Sequence, residues 1–410
     1  MSSGESASSL ASIEATTSMP AYTVWEMVGY ALRLGTLGFG GPVALVGYMH
    51  RDLVEQRKWI SEADYKEGLT LAQLMPGPLA AQLAMYLGYV HYGVMGSTLV
   101  GIAFVLPSFL MVLALGWAYV TYGGLTWMQS VFYGVGACVI GIILVSAYKL
   151  TRKTIGKDWL LWTIYLVSAA VTVITESEWI MMFLGAGILF WLIRTPPAFR
   201  RAGNTAAALL PIFPASGTAA WSGTSQWPVL AQIMLFFTKA GAFVFGSGLA
   251  IVPFLYSGVV KEYGWLNDHE FLDAVAVAMI TPGPVVITVG FIGYIVAGFP
   301  GACVAALGTF LPCYLFTIIP APYFKKHGKR PGIVAFVEGV TAAAVGAIAG
   351  AVIVLAGRTI FGDGYLPDVP KVILLLATIG LLLTFKKLPE PVIVLGAAVI
   401  GLVVYPLVTH

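Results

Sequence analysis

The 410 residues include 59% hydrophobic and only 10% charged side chains, with 47 glycines and a mean hydropathy of +0.88, far from the roughly 25% charged residues of soluble domains. That balance excludes a soluble globular protein, and a net charge of +3 is too small to point to a nucleic-acid partner. The apolar runs are long and lack strand-like alternation, which argues against an outer-membrane barrel and predicts an all-α polytopic membrane protein embedded in a lipid bilayer.

In chain order, residues 1–20 are rich in Ser, Ala, Glu and Thr, without Lys or Arg and without an apolar core. They fit neither a signal nor a transit peptide and are expected to be a disordered tail. A first unit, 21–194, opens with the apolar run 22–48, long enough to span but interrupted at Gly38-Phe39-Gly40-Gly41-Pro42. The charged segment 50–67 follows, with Trp59 placed as an interfacial anchor and Ser61 and Asp64 spaced to cap the next helix. Run 68–90 is broken by Pro76-Gly77-Pro78, and runs 96–120, 128–149, 159–175 and 179–193 come after it. Residues 195–228, with Pro196-Pro197 and Arg200-Arg201, read as a linker. The second unit, 229–410, repeats the series as 229–257, 271–297, 301–319, 333–356, 372–385 and 392–408. Cys138, Cys303 and Cys313 lie inside apolar runs without metal-ligand spacing, so they read as packing residues and no cofactor is expected.

The two units are copies. Shifting the chain by 206 positions places Gly35, Phe39, Gly40, Ala44, Val46, Val54, Trp59, Ala72 and Pro76-Gly77-Pro78 on Gly241, Phe245, Gly246, Ala250, Val252, Val260, Trp265, Ala278 and Pro282-Gly283-Pro284, which is 11 identities in 44 ungapped positions. Arg33 falls on Lys239, and Asn267 and Glu270 repeat the capping pattern of Ser61 and Asp64. Beyond the second break the offset is 205, pairing Pro107 with Pro312, Gly134 with Gly339 and Gly141 with Gly346.

Positive charge gathers at Arg51/Arg57/Lys58/Lys66, Lys149/Arg152/Lys153/Lys157, Arg194/Arg200/Arg201, Lys325/Lys326/Lys329/Arg330 and Lys386/Lys387, and such clusters belong on the cytoplasmic side. If all six runs of a unit crossed, 149–157 would lie outside. One re-entrant hairpin per unit removes the conflict, and the Pro-Gly-Pro run is the choice for it. Each unit then spans five times, the odd number inverts the second copy, and the N-terminus falls outside as a consequence. Two inverted five-span repeats are the architecture of a secondary transporter.

Gly/Pro breaks at membrane depth are tolerated only where protein or a water-filled cavity surrounds them. Pro42, Pro78 and Pro284 are each placed to begin a half-helix, a position proline suits, whose free N–H groups and positive dipole end attract an anion. Kinking for packing is the structural alternative. Arg33 lies roughly 16 Å into its run at about 1.5 Å per residue, and a cation near the midplane costs roughly 3 kcal/mol or more. With Lys239 in the equivalent position, the two cations are expected to converge on one anion, unless Arg33 snorkels or pairs with Glu26. Gln73 and Gln82 flank the first Pro-Gly-Pro, and Thr281 and Thr288 lie beside the second. Their polar groups suit oxyanion oxygens or helix–helix hydrogen bonds. Glu338 is a candidate proton carrier or an interfacial carboxylate near Arg330.

Phe39-Gly40-Gly41-Pro42, Trp59 and Pro76-Gly77-Pro78, echoed by Phe245-Gly246-Ser247-Gly248, Trp265 and Pro282-Gly283-Pro284, resemble the two-domain, long-chain members of the chromate ion transporter (CHR) family from about Trp25 to Val408. The resemblance implies export of chromate across the cytoplasmic (inner) membrane by alternating access, and chromate resistance, with sulfate as a look-alike substrate and a homodimer compatible with the chain. It departs at Gly246-Ser247-Gly248, which replaces Gly-Gly-Pro, so the two half-sites need not bind equally. The rival class is an intramembrane hydrolase. It finds no His paired with a buried Ser or Cys, since His50, His91, His269, His327 and His410 fall in loops or at the end. No Walker A sequence is present for an ATP-driven pump.

Overall fold

The computed structural model describes residues 22–38, 41–122, 126–175, 180–195, 227–243, 251–327, 330–361, 368–385 and 390–408. Among these residues every regular element is helical. The first unit holds α1 (Val24–Leu37), α2 (Gly41–Met49), which continues as a wide π-helical stretch (His50–Gln56), α3 (Glu62–Leu74), α4 (Leu79–Tyr122), α5 (Thr126–Ile155), α6 (Trp159–Thr175) and α7 (Ile180–Arg194). The second holds α8 (Trp227–Phe243), α9 (Ile251–Tyr256) with its π-helical continuation (Ser257–Glu262), α10 (Asp268–Ile280), α11 (Thr288–Ile318), α12 (Ala321–His327), α13 (Pro331–Phe361), α14 (Val369–Thr384) and α15 (Glu390–Val408). Leu79–Tyr122, Gln129–Arg152, Val285–Phe324 and Pro331–Gly357 are long and apolar enough to cross a bilayer, and α6, α7, α8, α14 and α15 are shorter apolar helices. Met95, Ile174, Met181 and Leu407 are exposed on outer faces, as side chains that meet lipid should be.

Local chemistry sets the ends. Thr23 and Glu26 form a full capping box that opens α1, and Asn267 and Glu270 form another at α10. The Ser61 hydroxyl accepts from the Asp64 amide at the start of α3. Each cap satisfies donors that the first helical turn leaves without partners.

Both broken runs fold back on themselves. Tyr22 stacks on Trp59 with ring centroids 4.8 Å apart, and the Tyr30 hydroxyl lies 3.4 Å from Asp52. The two ends of the run 22–48 therefore sit on the same side, with Gly38 and Gly41 at the far end. The expectation that this run spans is corrected: α1, at 14 residues, is about 21 Å long and α2 returns alongside it. The matching run also turns back, with Phe236 packed against Phe254 and Trp265. The Pro-Gly-Pro run is a second hairpin, as expected. Gly68 of α3 lies against the ring of Tyr86, and the Tyr86 hydroxyl donates to Glu67 at 2.7 Å.

A sharp reversal then divides α4 at Gly93, whose φ of 58° and ψ of −148° no helix accommodates. Residues 79–92 and 94–122 lie side by side, with Gly88 and Gly96 so close that a Cβ on Gly96 would overlap the Gly88 carbonyl. In the second unit, Gly298 (φ 61°) reverses α11 and Gly293 meets Gly301 in the same way. Small residues permit this approach, and closely packed backbones supply the dispersion energy that binds helices in lipid.

The copies interlock. The arm that follows Pro284 runs beside α4, bringing Gly290 to Phe109 and Gly116 to Tyr294. The chain then turns back at Gly298 and places Tyr314 against Thr98, hydroxyls 2.6 Å apart. Repeat-equivalent helices 94–122 and 299–318 are thus antiparallel neighbours. Over their crossing lies an apolar cleft of about 360 Å³ lined by the repeat pairs Ile102/Leu307, Val105/Phe310 and Leu106/Leu311. Gly141 of α5 contacts Thr378 of α14, and Gly134 contacts Ala397 and Gly401 of α15. Reciprocally, Gly346 of α13 meets Tyr165 of α6, and Gly339 meets Ala186 of α7. The second unit's last two helices thus pack on α5, and the first unit's last two on α13.

A side chain at the reversal cannot be absorbed. Gly96→Leu or Gly301→Leu should cost at least the 1–3 kcal/mol typical of overpacking, read as a lowered Tm of the detergent-solubilised protein. Gly29→Leu, at a glycine with open space around it, should leave the Tm near the parent value.

Candidate functional site

The breaks of the two units meet. Thr281 ends α10, and Gly283 enters the left-handed region with a φ of 97°. Its amide donates to the Gly38 carbonyl at 3.0 Å, so the tip of the second Pro-Gly-Pro hairpin is bonded to the end of α1 in the first unit. A Cβ on Gly283 would overlap Ser108 Oγ, and that hydroxyl donates to the Gly35 carbonyl at 3.3 Å. Gly35 is itself in backbone contact with Phe104 of α4. Its repeat partner Gly241 contacts Thr309 of α11, which is the repeat partner of Phe104.

The other tip obeys the same rule. Gly77, with a φ of 140°, faces Cys313, and a Cβ there would stand 3.2 Å from its Sγ. Ser108 and Cys313 are related by the offset of 205 and follow Pro107 and Pro312. Each Pro-Gly-Pro turn therefore docks on the long helix of the opposite unit. Gln82 braces the first tip: its Nε2 donates to the Pro76 carbonyl at 2.8 Å, while the fully buried Oε1 has no partner.

The turns expose backbone donors. The first intrahelical bond of the arm 79–92 runs from Gln82 N to Pro78 O, so the buried amides of Leu79, Ala80 and Ala81 have no acceptor within their helix. In the second hairpin the corresponding first bond is Ile287 N to Pro284 O, which leaves the amides of Val285 and Val286. Both arms present their positive dipole ends at the turn, an arrangement suited to negative charge.

The candidate residues separate into groups. Gly77, Pro78, Pro282, Gly283 and Pro284 are buried at the tips, Pro76 is half-buried there, and Gly41 and Pro42 open α2. Gly40, Gly246, Ser247 and Gly248 lie outside the described residues. Thr281 and Thr288 are buried, but their hydroxyls donate to Val277 O and Val285 O, leaving only oxygen lone pairs free. Gln73 is exposed, away from the buried stripe of α3 formed by Tyr65, Gly68, Leu71 and Ala72. Arg33 lies off the buried stripe of α1 on an exposed face with Leu32, Thr36 and Leu37, and Lys239 is half-buried in α8. Glu26, the alternative partner for Arg33, is held by Thr23 in the helix cap. Glu338 is exposed near the start of α13, within electrostatic reach of Asp158 and Arg194. Ser108 escaped sequence reasoning, although its position directly after Pro107 was the available signal, and Cys313, read as a packing residue, packs where the Gly77 turn docks.

Comparison with known proteins places the chain. The sequence profile described as Chromate transporter matches residues 25–191 and again 231–402. A chromate transport protein of Cupriavidus metallidurans is 71% identical over 95% of this chain and 96% of its own length. A probable chromate transport protein of Synechococcus elongatus is 64% identical over 94% of this chain and 96% of its own. A chromate transport protein of Pseudomonas aeruginosa is 30% identical over 92% and 91%. No solved structure matches the chain.

The docking of Gly283 gives a two-part expectation. Gly283→Ala combines positive-φ strain, about 1–2 kcal/mol for a non-glycine residue, with the clash against Ser108, and should lower the Tm clearly. Adding Ser108→Gly removes the clash but not the strain, so the double variant should recover part of the loss.

Proposed function

The chain belongs to the chromate transporter family, and from that premise we propose that it is a secondary transporter exporting chromate, a tetrahedral dianion, across the cytoplasmic membrane by alternating access. Family membership makes it a multi-pass transport protein rather than an enzyme. The observation that carries the mechanism is the crosswise docking of the hairpin tips. The Gly283 amide on the Gly38 carbonyl joins two backbone breaks that the sequence separates by more than half its length. The uncapped amides after Pro78 and Pro284 provide preorganised donors for oxyanion oxygens, and low local dielectric strengthens such bonds. Arg33 and Lys239 supply positive charge on the helices that end at the breaks. The Gly40-Gly41-Pro42 and Gly246-Ser247-Gly248 segments supply further backbone donors. Sulfate has the same shape and charge and is the alternative substrate.

The membrane arrangement proposed here is two inverted repeats, each with two hairpins that enter and leave on one side and four crossing helices instead of five. Antiparallel packing of 94–122 on 299–318, joined by Thr98 and Tyr314, supports the inversion. Tyr22, Trp59, the end of α5, Arg194 and the start of α13 then share the face that carries the basic clusters, which is cytoplasmic. The inversion requires Thr195 and Trp227 to lie on opposite faces. Because each unit's last helices pack on the other unit, access does not alternate by one repeat swinging against the other. The bodies that move are the group formed by the hairpins with α4 and α11, and the group formed by α5–α7 with α13–α15.

Two measurements decide these readings. Single cysteines at the equivalent exposed positions Ala63 and His269 should react with an impermeant maleimide from opposite sides of the membrane. Labelling of both from one side overturns the inversion. Purified protein in liposomes should carry chromate, and Arg33→Gln and Lys239→Gln should each lower the flux at least tenfold with expression intact. Absence of chromate flux in the parent protein removes the function, and full flux in both variants removes these cations from the site.

A further inference from the structure

A second polar region lies away from the tips. At the end of the bundle opposite the basic loops, a cavity of about 600 Å³ opens between α10 and the ends of α4, α5, α13, α14 and α15. In its wall is Asp273, at 8% exposure the only buried charged side chain among the described residues. Tyr119 of α4 donates its hydroxyl to Asp273 Oδ2 at 2.8 Å. Its ring packs edge-on against Phe132 and Phe291, so the carboxylate has an apolar backing and one fixed donor.

The mouth of this cavity is unsuited to a dianion. On the same helix, Asp268 accepts from Tyr256, and His269 and Glu270 line the opening. Across it, Lys371 of α14 lies 3.4 Å from Asp368, which also accepts from Tyr133 of α5. Tyr405 of α15 and Gln129 of α5 complete the polar lining, and α13 contributes Thr359. Four carboxylates, Asp268, Glu270, Asp273 and Asp368, stand against one ammonium, so the net field repels an oxyanion and concentrates cations. Among the described residues no three of these side chains stand close enough together to hold a metal ion, and the tyrosine directs a proton, not a lone pair, at the carboxylate. Those features suit a proton better than a metal ion. The position is also repeated: Glu67, 206 residues earlier, accepts from Tyr86 at 2.7 Å in the first hairpin.

We propose that Asp273 is the coupling carboxylate of the transporter, binding a proton that enters through this acidic cavity while the oxyanion uses the separate site at the hairpin tips. The inference rests on the transport reading above and adds the coupling ion to it. Hydronium in the cavity gives its proton to a carboxylate oxygen of Asp273, Tyr119 keeps its own, and no other group changes state. Neutralising Asp273 removes the reason for the α10 hairpin to face the wet, cation-rich opening. Proton binding is thereby linked to the position of the Pro-Gly-Pro tip at the other end of that helix.

The test uses the full-length protein in liposomes loaded with a pH-sensitive dye. In the parent protein an imposed chromate gradient should drive a proton flux, and an imposed pH gradient should drive chromate accumulation. Asp273→Asn should abolish both couplings and flatten the pH profile of chromate flux, whereas Asp273→Glu should retain coupling. Tyr119→Phe, which removes a donor that favours the ionised carboxylate, should shift the midpoint of the profile to higher pH. Proton flux at the parental ratio in Asp273→Asn overturns the proposal, as does dependence on sodium at fixed pH. Chromate flux without proton movement in the parent overturns it while leaving the transport reading intact. No chromate flux in the parent overturns both. A melting curve for each variant separates misfolding from uncoupling, and failure of both Asp273 variants to fold, with an unshifted profile in Tyr119→Phe, assigns the residue to structure and overturns the proposal.

Discussion

A peptide group inside a bilayer has no water to turn to, and each one left without a partner costs several kcal/mol. Interruptions of helical hydrogen bonding in the middle of an apolar chain are therefore a severe constraint. In the described tips one group set free by a break is answered by the opposite unit and another by a helix of its own unit. The Gly283 amide finds the Gly38 carbonyl, and Ser108 finds the Gly35 carbonyl. The amides at the starts of the arms 79–92 and 285–296 have no acceptor within their own helices. The hairpins, the glycine reversals and the antiparallel crossing of α4 and α11 together seat each tip on the opposite unit's helix.

Interlocking also assigns mechanical roles. The glycine contacts of α5 with α14 and α15, and of α13 with α6 and α7, are close approaches, most of them to backbone, that tolerate little sliding. The hairpins present shorter helices and lean on α4 and α11. The sequence repeat is thus a division by ancestry, whereas the packing divides the molecule into two groups that each draw on both copies.

Much of this was legible in the residues. The offset of 206, carried by Trp59/Trp265 and the two Pro-Gly-Pro triplets, announced the duplication, and helix caps at Ser61 and Asn267 were read from spacing alone. The Pro-Gly-Pro hairpin followed from the conflict between charge and span count. The first hairpin did not, because run 22–48 has the length and hydropathy of a crossing helix, and the contacts of Tyr22 with Trp59 and of Tyr30 with Asp52 are what reveal that it turns back. Ser108, Asp273 and the partner of Cys313 escape the sequence for a related reason. Each gains significance from a neighbour more than 150 residues away or in the other repeat, and periodicity reports only on a residue's own helix.

The short arms of the hairpins bear on how the chain is made. A segment such as α3, 13 residues long, is too brief to be threaded through the bilayer as it leaves the ribosome, while 94–122 and α5 are recognised on emergence. The first Pro-Gly-Pro turn leans on Cys313 and the end of α1 on Gly283, so neither has its support until most of the polypeptide has been synthesised. Assembly is accordingly late and all at once: a truncated nascent chain holds inserted helices but no finished interior, and quality-control proteases meet it with its unpaired turns still loose.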